Sequence, residues 1–192
     1  MPELVLASSS PYRQALLKKL GLSFVCASPD IDETPRPGES PVELTRRLAA
    51  AKAHALADRF PHHLIIGSDQ AACIDRQVLG KPGSAANAIS QLKLASGRRV
   101  EFFTGLCLLN SVNNKNQVLV DRFTVHFRKL SDQQIATYVE REQPLDCAGS
   151  FKSEGLGIAL FERLEGDDPN TQIGLPLIQL TRMLEHAGMP VL

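Results

Sequence analysis

The stretch Leu4-Val5-Leu6-Ala7-Ser8-Ser9-Ser10-Pro11 changes character at its midpoint, and that change sets the fold class. Four apolar residues in a row read as a short buried strand. Ser8, Ser9 and Ser10 then place hydroxyls ahead of Pro11, the pattern of a capped helix start with proline in its first turn. Gly21 stops that helix, and Ser23 to Ala27 predicts a second strand. A strand feeding a helix that leads to another strand is the unit of an α/β fold.

The alternation continues outward. Pro29, Pro35, Pro37 and Gly38 make Ser28 to Glu39 a loop. Ser40-Pro41-Val42-Glu43 fits a capping box and predicts a helix to about Arg59. Leu64-Ile65-Ile66-Gly67 predicts a buried strand that delivers Ser68-Asp69-Gln70 at its end. A helix is expected over Ser84 to Ala95. Two long strands, Val100 to Leu109 and Gln117 to Arg128, flank a turn at Asn113-Asn114-Lys115-Asn116 and read as a hairpin. Ser131 caps a helix to about Glu142, and Gly149 to Gly157 is a glycine-punctuated loop. Gly157 to Phe161 leads into a strand, and a last helix over Leu175 to His186 ends before Gly188. The expected architecture is α/β, a mixed sheet flanked by helices, in one domain over residues 1–192.

Composition narrows the function classes. The chain has 192 residues, 43% apolar and 22% charged, the balance of a globular protein. Lys plus Arg equals Asp plus Glu at 21 each, so no global positive field holds nucleic acid or an anionic membrane. Phosphate binding must come from a local cluster. Cys26, Cys73, Cys107 and Cys147 form no C-x-x-C pair, which argues against zinc and disulfides and for reduced, mostly buried thiols. No apolar run has the length of a membrane helix, and Met1 to Leu6 has no basic region ahead of a long apolar core. A cytoplasmic protein is expected.

Several residues stand out by position. Ser8, Ser9, Ser10 and Arg13 sit where a strand feeds a helix N-terminus, whose unpaired N–H groups suit an anion. At about 100° per residue Arg13 falls beside Leu17 and Leu20, so it leans toward the helix mouth or pairs with a core carboxylate. Lys52 lies inside the apolar stripe of Leu44, Leu48, Ala51 and Ala55. There it is paired, or it snorkels to solvent. Arg46 and Arg47 fall farther round and read as solvated charges. Asp69, expected at a strand end, suits metal binding, proton transfer from water, or simple turn capping. Asp30, Asp32 and Glu33 lie on the proline-rich loop, within reach of a metal or merely solvated. Gly80-Lys81-Pro82 puts a lysine in a tight turn. A phosphate-cradling G-x-x-x-x-G-K-[ST], an H-E-x-x-H and a dinucleotide G-x-G-x-x-G are all missing. The five histidines are scattered, with His62-His63 read as surface.

In order and spacing these fragments resemble the Maf family of nucleotide pyrophosphatases. The resemblance runs through Leu6 to Arg13, Asp32-Glu33, Lys52-Ala53, Gly67 to Gln70, Gly80-Lys81-Pro82, Thr104-Gly105, Ala148 to Phe151 and Asp167 to Pro176. It implies two lobes around a deep cleft, often a homodimer, and hydrolysis of a nucleoside triphosphate between its α- and β-phosphates with magnesium, manganese or cobalt. On matching positions it implies Asp69 as the proton acceptor and Glu33 with Asp69 as metal ligands. Ser8, Arg13, Lys52 and Lys81 would grip the triphosphate. Tyr12, Gln70 and Glu154 resemble the 7-methyl-GTP branch rather than the dTTP and UTP branch, which tends to carry Thr after the catalytic aspartate. Tyr12 would stack on the cationic base or pack only against its helix, and Glu154 would accept the guanine N1–H and amine. Two alternatives stay open: a pyrimidine or other non-canonical triphosphate as substrate, and a nucleotide-sensing regulator of cell division.

Overall fold

The computed structural model describes residues 3–75 and 77–192. Met1 and Pro2, part of the N-terminal stretch read above, lie outside the described residues, as does Arg76. Seven strands and five α-helices are described: β1 (Glu3–Ala7), α1 (Pro11–Lys18), β2 (Phe24–Ala27), α2 (Pro41–His54), β3 (His63–Ile74), β4 (Gln77–Leu79), α3 (Ala85–Ala95), β5 (Arg99–Asn110), β6 (Lys115–Phe127), α4 (Asp132–Glu142), β7 (Phe161–Glu165) and α5 (Leu177–His186). Two short 3₁₀ turns, Leu156–Leu160 and Thr171–Ile173, join the last elements. The strand order is β2-β1-β3-β5-β6-β7, with β4 paired to β3. β1 runs parallel to β2 and β3, whereas β3/β4 and β6/β7 are antiparallel. The sheet is therefore mixed, as the alternating elements predict. No described helix is long and apolar enough to cross a membrane.

The chain divides into two compact units. The first comprises Met1–Gln70, Phe103–Asp121 and Gly174–Leu192; the second comprises Ala71–Phe102 and Arg122–Ile173. In the first, Val5, Ala7, Ile65, Cys107 and Leu109 of the strands pack with Ala49, Ala53 and Leu56. The small residues of α2 let its backbone approach two strand glycines. A Cβ on Gly67 would overlap Ala49 O and crowd Ala53 N, and one on Gly105 would overlap Thr45 O. α2 is thus seated on the sheet by backbone contact, which fixes the height of every side chain it carries.

In the second unit α3 and α4 cover a core that includes Leu92, Val100, Phe102, Val125, Phe127 and Tyr138. Phe151 sits edge-on to Phe102, Phe127 and Phe161, with ring centroids 5.5, 5.3 and 5.0 Å apart. That geometry favours aromatic pairs and explains the phenylalanine closing Ala148 to Phe151.

Four expectations need correction. α2 ends at His54, not near Arg59. Leu56 N–H and Ala57 N–H then bond carbonyls three residues back, and this tighter winding ends the α-helix. β3 does not stop before Ser68 but continues to Ile74, because Ala72, Cys73 and Ile74 pair with β4. Asp69 accordingly lies within a strand. Gly80-Lys81-Pro82 is not a tight turn but part of the connection from β4 to α3. Its carbonyls at Gly80 and Pro82 accept from Gln91 and Asn87 of α3. The thiols are free, yet only Cys73 and Cys107 are buried; Cys26 is exposed and Cys147 half-buried.

Candidate active site

α2 brings Lys52 to the first unit's site. Its ammonium is almost wholly buried and lies 2.7 Å from Asp69 Oδ1 and 2.9 Å from Glu33 Oε1. Of the two readings of this apolar-face lysine, pairing holds: it bridges two carboxylates. A buried ammonium needs such partners, because an uncompensated charge away from water costs several kcal/mol or more. Glu33 supplies its carboxylate from the proline-rich loop, with its side chain 58% exposed.

Asp69 is 8% exposed. Burial pushes its carboxyl above the ordinary aspartate value, opposed by Lys52 and then by Arg13, while Glu33 pushes the same way as burial. The outcome is a carboxylate more basic than usual beside a fixed cation. Arg13 reaches the same place from the first turn of α1. Desolvation lowers its guanidinium's pKa, and the charges of Asp69 and Glu33 counter that.

Arg13 is held from behind. Its Nε donates to Gly174 O at 2.8 Å, and Ser68 Oγ donates to the same carbonyl at 2.9 Å. One carbonyl therefore ties α1, β3 and the segment before α5. Gly174 has φ +123°, and a Cβ there would lie 3.3 Å from Arg13 Nε. Ser68 and Gly174 fall within the resembling stretches Gly67 to Gln70 and Asp167 to Pro176, but nothing in the sequence gives either one this role. Ser10 caps α1 by accepting from Arg13 N, and Ser8, nearly buried, accepts from Ser10 N at 3.1 Å. The hydroxyls at this helix mouth thus organise the turn itself.

Gln70, next to Asp69 on β3, donates from Nε2 to Thr104 Oγ1 at 3.1 Å. Thr104-Gly105 accordingly has two roles: the threonine orients Gln70 and the glycine admits α2. Tyr12 is half-buried on α1. Asp32 and Asp30 are exposed, and Asp32 Oδ1 accepts from Thr34 N at 2.9 Å. Lys81 and Glu154 are exposed residues of the second unit.

Arg47 departs from its expected role. It is not a loosely solvated charge: Nε and Nη2 fork onto Glu39 at 2.6 and 2.7 Å, and Nη2 also donates to Thr34 O at 3.1 Å.

Among the described residues no group of three or more His, Cys, Asp or Glu is arranged to hold a metal. Asp69 and Glu33 nevertheless present two carboxylates to one ammonium, which uses one oxygen of each. Magnesium typically takes only one or two protein carboxylates and completes its shell with water and phosphate oxygens. The pair suits a cation that arrives with a polyphosphate, not one caged by protein alone.

A basic aspartate, a desolvated arginine and a lysine bridging two carboxylates make a centre for acid–base work on an anion. The Maf-like protein family profile matches residues 3–187. The chain belongs to the Maf-like protein family.

Proposed function

We propose that this protein hydrolyses a nucleoside triphosphate to the monophosphate and pyrophosphate, with 7-methyl-GTP as preferred substrate. The observation that carries the reading is the Asp69–Lys52–Glu33 contact, with the aspartate and the ammonium buried and Arg13 beside them. Glu33 and Asp69 would hold a divalent cation, which would supply neutralising charge for the triphosphate. Asp69 takes a proton from the water that attacks the α-phosphorus, a task its raised pKa favours. Lys52 keeps the aspartate ionised and aimed. Arg13, clamped through Nε, keeps its Nη groups for phosphate oxygens and for charge that builds on the leaving pyrophosphate.

Ser8 and Lys81 complete the triphosphate grip on the family positions they match. Tyr12, Gln70 and Glu154 select the base by the same correspondence. N7-methylation makes guanine cationic, so an aromatic ring gains about 0.5–2 kcal/mol by stacking on it. Pyrophosphate release from a panel of 7-methyl-GTP, GTP, dTTP, UTP and ITP tests the reading. 7-Methyl-GTP is expected to turn over fastest, and Glu154→Ala is expected to lower its kcat/KM by about tenfold or more with a pyrimidine substrate little changed. Equal losses on both would remove Glu154 from base selection, and no release from any triphosphate would remove the activity.

A further inference from the structure

Glu33 poses a positional problem. Its side chain is more than half exposed, on an irregular loop containing Pro29, Pro35, Pro37 and Gly38, yet its carboxylate must stay against Lys52. A carboxylate open to solvent on a free loop gains little from one ion pair, because ordering a long side chain and its backbone costs about as much as the pair gains. The loop is fastened by another residue of the same helix. Arg47 lies five positions before Lys52 on α2. Its guanidinium takes both oxygens of Glu39, and Nη2 also holds the carbonyl of Thr34, directly after Glu33. Glu39 Oε2 further accepts from Arg36 N at 2.9 Å, closing the segment between the two anchors. The helix that presents the ammonium thereby also sets where its carboxylate partner sits.

We propose that Arg47 is a positioning residue: with Glu39 it latches the loop so that Glu33 is held over Lys52. The proposal rests on the function argued above, and it assigns Arg47 no contact with substrate. Lysine cannot replace the latch, since a single ammonium does not present two parallel N–H groups to a carboxylate and a third to a carbonyl.

The test is a double-mutant cycle on the full chain, measuring pyrophosphate release with Arg47→Ala, Glu33→Gln and the pair. Arg47→Ala is expected to lower kcat/KM about tenfold and Arg47→Lys nearly as much. In the Glu33→Gln background Arg47→Ala is expected to cost less than about twofold. The same factor in both backgrounds, or no effect of Arg47→Ala alone, overturns the proposal. Hydrogen exchange provides a readout without turnover. The amides of Glu33, Thr34 and Arg36 are expected to exchange faster in Arg47→Ala, with those of α2 unchanged, and unchanged exchange at these three contradicts the latch. Glu39→Gln serves for both measurements if Arg47→Ala does not fold. A wild-type protein that releases no pyrophosphate removes the function, and exchange alone then decides the latch.

Discussion

Lys52 shows what helical phase reveals about a single residue. A lysine within an apolar stripe must find a partner, and here it finds Asp69 and Glu33. Arg47 was opaque for the opposite reason. Its phase points away from the stripe, and its partners Glu39 and Thr34 lie on a loop with no periodicity to read. Gly174 was equally hidden, since only three-dimensional contact shows that its carbonyl anchors Arg13 and Ser68. At φ +123° a side chain is strained, and the new Cβ would press on Arg13. Gly174→Ala is expected to destabilise the protein by about 1–3 kcal/mol and to lower kcat/KM as the guanidinium shifts. Urea unfolding and pyrophosphate release check this, and a variant matching wild type in both would show that the carbonyl anchor is dispensable.

At the scale of elements, helix starts were the most legible feature. Ser40 and Ser131 both form capping boxes, with Glu43 and Gln134, because a cap depends only on residues within one turn. The extent of β3 was not legible. Gly67-Ser68-Asp69-Gln70 breaks its apolar run, and only pairing with β4 shows that the strand continues. The same glycine sets the seat of α2. Gly67→Ala would place a methyl group where Ala49 O and Ala53 N now lie, with helix backbone unable to yield locally. The variant is expected to lose about 3 kcal/mol and to lose activity, because α2 carries Lys52. A normal urea midpoint would show that α2 moves aside freely.

For the whole molecule, the alternation of strands and helices identified a mixed α/β fold, while the division into two units depends on contacts that no local pattern encodes. Stability against acid is a property of the whole chain to which the latch contributes with a definite sign. The fork from Arg47, then the Arg36 N–H, holds the Glu39 carboxyl at about 2, below the usual 4.5. In that window the unfolded chain binds the proton and the folded chain does not. The contribution is therefore present above about pH 4.5 and is lost as pH falls through about 2. Wild type is expected to exceed Arg47→Ala in unfolding free energy at neutral pH, and the gap is expected to narrow between about pH 5 and about pH 2. A gap independent of pH in denaturant titrations would contradict this. The function proposed above turns on one buried carboxylate, Asp69, held 2.7 Å from a lysine. The most direct measurement is the pyrophosphate release rate of Asp69→Asn, with circular dichroism confirming the fold. The account predicts a loss of about a thousandfold or more in kcat with the fold intact, whereas turnover within about tenfold of wild type would contradict it.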